Sequence, residues 1–184
     1  MTSLAGRILI AMPAMGDPRF HRAVVLVCAH SDDYAMGLVL NNPIERLSVS
    51  QLLDQLDIAQ DIHLPEQAVL NGGPVGTDRG FVVHSGDYFC DGATIEVGET
   101  LCMTATRDVL RALAQGGAPR MALLTLGYAG WGPRQLETEI AGNCWIVSDP
   151  DEALIFDHGY ATKWNRSLKK MGVTPALLHH GGEA

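Results

Sequence analysis

Nearly unbroken apolar runs of strand length set the first limit on this chain. "RILIAMP", "AVVLVCAH" and "AMGLVLN" all fall within its first 41 residues. They are too short to span a bilayer, and the first two are rich in β-branched residues, so each reads as a largely buried strand. "AMGDPRFHR" between the first two is a loop, marked by Gly16 and Asp17-Pro18. "SDDY" between the second and third suits a hairpin, and Asn42-Pro43 closes the third run.

The rest of the chain mixes both periods. In "LSVSQLLDQLDI", Val49, Leu52, Leu53 and Leu56 recur at helical spacing behind Ser48 as N-cap. "AVLNGGPV", "RGFVVHS" and two short runs around Gly98 read as strands. Thr104 or Thr106 then starts a helix with Val109, Leu110 and Leu113 inward, ended by Gly116-Gly117. "RMALLTLGYAG" is a strand, and "PRQLETEIAG" a short helix with Pro133 at its first position and Gly142 after its end. "NCWIVS" and "EALIF" read as the last strands. "YATKWNRSLKKMG" is the last helix, with Trp164, Leu168 and Met171 on one face and Lys163, Arg166, Lys169 and Lys170 on its outer face and last turn. Residues 173–184 read as a loosely held tail.

Strands come in pairs and triples without strict βαβ alternation. The expected class is therefore α+β: a mixed β-sheet packed with three to four helices, a layered αβ sandwich. The 184 residues suit a single domain over 1–184.

Charge narrows the function classes. The formal net charge is −8 and the pI about 5.2, which opposes nucleic acid and anionic membranes. No basic stripe with interleaved aromatics occurs, so direct DNA binding is the weaker alternative. The N-terminus lacks a basic segment before its short apolar run, and no run reaches transmembrane length, so a soluble cytoplasmic protein is expected. Cys28, Cys102 and Cys144 lie in apolar stretches and Cys90 in a polar turn, with no C-x-x-C. The seven histidines form no H-E-x-x-H or H-x-H, and His179-His180 lies in the tail, so no metal and no cofactor is expected.

Three stretches gather polar residues. "LGYAGWGPRQLETEI" has a glycine-rich turn before a helix, the arrangement that binds phosphate elsewhere. Its spacing, Gly127, Gly130 and Gly132, matches neither dinucleotide nor nucleotide loops. Pro133 removes a donor, Tyr128 and Trp131 add bulk, and Glu137 and Glu139 repel an anion. A packing corner is the better reading, with Arg134 its one cation. "NGGPVGTDRGFVVHS" carries Arg79 and His84; a hydrolase using His84 with a carboxylate is an alternative, although no G-x-S-x-G elbow occurs. The loop after the first strand carries Asp17, Arg19, His21 and Arg22, where Asp17 is free to pair with Arg22 or Arg79.

Together, "LIAMPAMGDPRFHRAVVLVCAH", "GGPVGTDRGFVVHS" and "LGYAGWGPRQLETEIAGNCW" resemble the signature blocks of the AlgH/YqgE family of bacterial proteins, in the family's order and over roughly residues 5–164. The resemblance implies a cytosolic αβ fold with no established reaction and a transcriptional-regulator label from regulation of alginate synthesis. It carries over no catalytic residue. Two positions depart from the pattern: Ala29 stands where the family usually has an acid, and Arg134 where it often has Gly. The resulting expectation is a protein that binds an unknown protein or small-molecule partner in regulation, without demonstrable catalysis. The surface expected to serve it joins Asp17, Arg22, Arg79, His84, Tyr128, Trp131 and Arg134.

Overall fold

The computed structural model describes residues 2–178. In chain order the elements are β1 (Ile8–Ala11), β2 (Val24–His30), β3 (Ala35–Val39), β4 (Pro43–Ser48), α1 (Val49–Gln55), β5 (Ala68–Asn71), β6 (Val75–Ser85), β7 (Thr94–Val97), β8 (Leu101–Thr104), α2 (Arg107–Ala114), β9 (Ala122–Trp131), α3 (Gln135–Ala141), β10 (Trp145–Ser148), α4 (Glu152–Phe156), α5 (Tyr160–Lys170) and α6 (Pro175–Leu178). A 3-10 turn at Pro18–Phe20 interrupts the first loop. This is the mixed α+β architecture: a curled, mainly antiparallel sheet in the order β10-β1-β2-β3-β9-β6-β8-β7, with helices on it. Among the described residues, no helix is long and apolar enough to cross a membrane.

The unbroken apolar runs follow from burial on both faces. In β2, Val24, Leu26 and Cys28 enter a central cluster inside the curl with Ile8, Ile10, Leu38, Val83, Leu123, Trp164 and Leu168. Val25 and Val27 point the other way, to a layer with Leu9, Trp131, Leu136 and Trp145 beneath α3. A third layer puts Val49 and Leu53 of α1 and Val109 and Leu110 of α2 against Val82 and Leu124. Leu26, Leu38 and Leu123 are fully buried, each contributing roughly 1.5–3 kcal/mol.

β9 is the hub. Leu126 pairs with Asn71 of β5 and with Gly80 of β6, so those two strands flank β9 on opposite edges. The chain from β5 to β6 crosses β9 through Gly72-Gly73-Pro74 alone. Only glycine fits: a Cβ on Gly73 would stand 2.1 Å from the Tyr128 carbonyl carbon, and one on Gly72 2.4 Å from the Gly127 oxygen. Gly127 itself has φ +77. Before it Leu123 faces the central cluster; after it Tyr128 does, so this residue shifts the strand's alternation by one. The two glycine-rich stretches are thus halves of one backbone crossing.

Local signals fix several ends. Ser48 and Gln51 form a reciprocal capping box on α1. Thr106 is the N-cap of α2. Three expectations need correction. "EALIF" is helix α4, because the Asp151 side chain accepts the Leu154 N–H and caps it. Pro133 precedes α3: it occupies the second position of a turn closed by Gln135 N–H to Gly132 O at 3.1 Å. Arg134 follows at φ 54, ψ 12, the left-handed third position of a type II turn, and is the N-cap. β4, half exposed, with Glu45 and Arg46 adjacent and no clean alternation, is a strand that the sequence does not announce. Four helices match those expected; α4 and α6 are additional. Of the tail, Pro175–Leu178 is helical and Leu178 packs against the central cluster, while residues 179–184, with the His179-His180 pair, lie outside the described residues.

Candidate functional site

Strand pairing brings Arg79, Tyr128 and Trp131 around one open concavity of about 330 Å³. Residues two apart on a strand share a face, so Arg79 stands beside Phe81, its guanidinium carbon 5.6 Å from the ring centroid. Phe81 meets Tyr128 edge-on at 5.8 Å. Met36 pairs across strands with Gly130, and Tyr34 projects from the β2–β3 hairpin, 54% exposed. Tyr34, Met36, Phe81 and Gly130 were missed in the sequence. The available signal was the i, i+2 spacing of Arg79 and Phe81; the others depend on which strands pair. Among the described residues, no carboxylate lies within ion-pair distance of Arg79.

The remaining expected residues lie elsewhere. Asp17 pairs with neither Arg22 nor Arg79: its carboxylate takes the Arg19 side chain at 2.7–3.1 Å and caps the 3-10 turn through the Arg19 N–H. The Arg19 guanidinium holds the Asp17 carboxyl below the usual carboxylate range. Arg22 has φ 52, its carbonyl accepts from Asn41 Nδ2 at 2.9 Å, and its guanidinium lies 5.2 Å over Trp164. The loop reaches the Trp131 layer through Met15, Phe20 and Ala23, with Phe20 edge-on to Trp145. Arg134 sits on the turn before α3, outside the concavity.

His84 is fully buried in β6. Its Nδ1 lies 2.9 Å from the Ser85 carbonyl, which only accepts, so Nδ1 carries the proton. Nε2 then accepts from Thr104 Oγ1 at 2.8 Å. Thr104 in turn accepts from Thr94 Oγ1 at 2.7 Å, and Thr94 accepts the Cys90 N–H at 3.0 Å. Burial pushes the imidazole down from its ordinary value, consistent with this neutral ring. Among the described residues no carboxylate hydrogen-bonds to it; the neighbouring Asp87 is taken up by Ser85 Oγ at 2.5 Å and the Arg120 N–H at 2.9 Å.

The corner between β9 and α3 is locked by its acidic residues. Glu139 Oε2 accepts from the indole Nε1 of Trp131 at 2.9 Å and of Trp145 at 2.8 Å, while Oε1 accepts from Gln135 at 2.9 Å. Gln135 Oε1 in turn accepts the Gly132 N–H at 3.0 Å. Glu137 takes His30 Nε2–H at 2.9 Å, and His30 Nδ1 accepts the Leu4 N–H at 3.1 Å. A phosphate cradle is therefore absent: the groups that would face the anion are two carboxylates engaged with side chains, and only Gly127 of the three glycines has positive φ. Trp131 is buried as part of this lock, and Tyr128 is half-buried.

The basic face expected on α5 is also altered. Lys163 is fully buried. Its ammonium donates to the carbonyls of Ile155 at 3.0 Å and Asp157 at 3.1 Å, closing the C-terminus of α4. Burial pulls its pKa down to about 8, against the pull of Asp157. Arg166 holds Asp157 through contacts of 2.5 and 2.8 Å. Among the described residues, no group of three or more His, Cys, Asp or Glu could hold a metal ion.

Known proteins resemble this chain in sequence and fold. The AlgH-like family model matches residues 8–176. A UPF0301 protein of Bradyrhizobium diazoefficiens is 50% identical over 182 residues, covering 95% of this chain and 85% of its own. One from Caulobacter vibrioides is 48% identical over 172 residues, covering 93% and 88%. The solution structure of the AlgH protein from Pseudomonas aeruginosa superposes with a TM-score of 0.78 at 38% identity, covering 100% of this chain and 96% of that one. A crystal structure of a Corynebacterium diphtheriae protein superposes at 0.77 with 20% identity, covering 97% and 92%, and shares the fold. The family match, the relatives' identities and the superposition agree: the chain belongs to the AlgH-like family.

Proposed function

We infer that this protein acts by binding a partner in a regulatory role, without a reaction of its own, through the concavity where Arg79, Tyr128 and Trp131 meet. The observation that carries this reading is Arg79. Its guanidinium is exposed, rests on Phe81, and has no ion-pair partner among the described residues. An arginine stacked on an aromatic ring, with its donors free and tyrosines at hand, is the composition enriched where proteins recognise others or bind ligands. The burial of His84, with both ring nitrogens engaged by Ser85 and Thr104 and the neighbouring Asp87 bonded elsewhere, supports binding over hydrolysis. A cytoplasmic setting is part of the proposal, supported by four free cysteines, which suit a reducing compartment.

The test is capture from native lysate, with protein and small-molecule mass spectrometry, comparing wild-type bait with Arg79→Ala and Tyr34→Ala baits. Both residues are exposed, so neither change touches the core, whereas Trp131 belongs to it. Species held by the wild type and lost from both variants support the reading. Identical recovery by all three baits overturns it.

A further inference from the structure

Gly130 is a glycine that the fold does not require. It lies inside a strand, paired with Met36, where glycine weakens the ladder. Its φ is outside the left-handed region, and a Cβ built on it meets only the Tyr128 ring at 3.5 Å, an ordinary contact. In this it differs from Gly72 and Gly73, whose Cβ atoms would strike backbone. Close approach of a ligand or another backbone is one of the reasons a strand carries a glycine, and it fits one with neither a conformational nor a packing reason. Gly130 is exposed and lines the floor of the concavity.

The surroundings of that floor state the chemistry of what approaches. Tyr128 and Tyr34 border the bare strand and Met36 stands across from it, a flat apolar setting. Arg79 adds one fixed cation at the rim with unspent donors, suited to a carboxylate or phosphate oxygen. The volume, about 330 Å³, is at the small end of those that hold small ligands. We propose that this concavity is a binding site for a small flat anion, an aromatic body laid on Gly130 with its carboxylate or phosphate held by Arg79. The proposal rests on the binding role inferred above and names the ligand class of that same face.

Naphthoate is the probe, with the neutral naphthalenemethanol as its partner compound. Binding is followed through the backbone amide resonances of the full chain. Naphthoate is expected to move the resonances of Gly130 and Tyr128. Arg79→Gln is expected to weaken it by about tenfold or more, while leaving naphthalenemethanol unaffected. Gly130→Val, which fills the floor, is expected to abolish both, and Gly130→Ala to weaken both. Unchanged melting temperatures show that the variants retain the fold. The proposal is overturned if Gly130 and Tyr128 stay unmoved at millimolar naphthoate, or if Arg79→Gln binds as the wild type does. A protein captured from lysate through Arg79, with no naphthoate binding, overturns the flat-anion assignment and leaves the binding role standing. Failure of both tests removes both.

Discussion

Glu139 accepts the indole N–H of Trp131 at 2.9 Å, one turn of helix reaching back to the strand it follows. The same oxygen takes the Trp145 indole at 2.8 Å, and the two rings meet edge-on at 6.1 Å. One carboxylate thus fixes α3, β9 and β10 together. Replacing it leaves two indole donors without partners. Glu139→Ala is expected to destabilise the fold by about 3 kcal/mol, and Glu139→Gln by less because its carbonyl still accepts. Urea unfolding followed by tryptophan fluorescence measures both.

The two kinds of glycine separate cleanly by substitution. Gly73→Ala forces a Cβ to 2.1 Å from the Tyr128 carbonyl carbon. It is expected to cost about 3 kcal/mol or more, through loss of the crossing between β5 and β6. Gly130→Ala meets nothing closer than 3.5 Å and is expected to stay within about 0.5 kcal/mol of wild type. Parallel denaturant titrations decide this; equal losses at the two positions contradict the account of Gly130.

Arg134 holds a backbone conformation that suits glycine, φ 54 at the third position of a type II turn. A glycine would hold this conformation without strain. Arg134→Gly is expected to stabilise the chain by roughly 0.5–1 kcal/mol, the relief of left-handed strain offset in part by the entropy of the unfolded glycine. Thermal unfolding reads it as a small upward shift in Tm.

Lys163 makes stability depend on alkaline pH. Its folded pKa is about 8 against an ordinary 10.5, so between those values the unfolded chain binds the extra proton. Stability therefore rises as pH increases from about 8 to 10.5 by roughly 3 kcal/mol as an upper figure, relative to a chain without this amine. Lys163→Met is expected to remove that rise. Free energies of unfolding for both chains across this pH range give the difference; parallel curves contradict it.

Much of this fold is legible in the residues, for identifiable reasons. β1 and β2 read correctly because both faces are buried, leaving Ile8–Ala11 and Val24–Cys28 without a polar position to confuse the pattern. α1 reads correctly because Ser48 and Gln51 cap it locally. "EALIF" misleads because five apolar-rich residues fit either period, and the deciding bond comes from Asp151 outside the run. Lys163 looks like its basic neighbours in sequence, and only the docking of α4 over α5 buries it. The site divides in the same way. Arg79, Tyr128 and Trp131 meet because β6 and β3 both pair with β9, whereas Asp17 is satisfied two residues away, by Arg19. In the sequence Gly130 reads only as part of a glycine-rich turn, and its open surroundings follow from its place on β9 opposite Met36.

The central claim is that this chain works by binding at the face around Arg79. Hydrogen exchange read by mass spectrometry tests it most directly, comparing the protein in buffer with the protein recovered from native lysate. The account expects added protection confined to peptides covering 79–81 and 128–131, and its loss in Arg79→Ala. Protection on another face, or protection that survives Arg79→Ala unchanged, would contradict it.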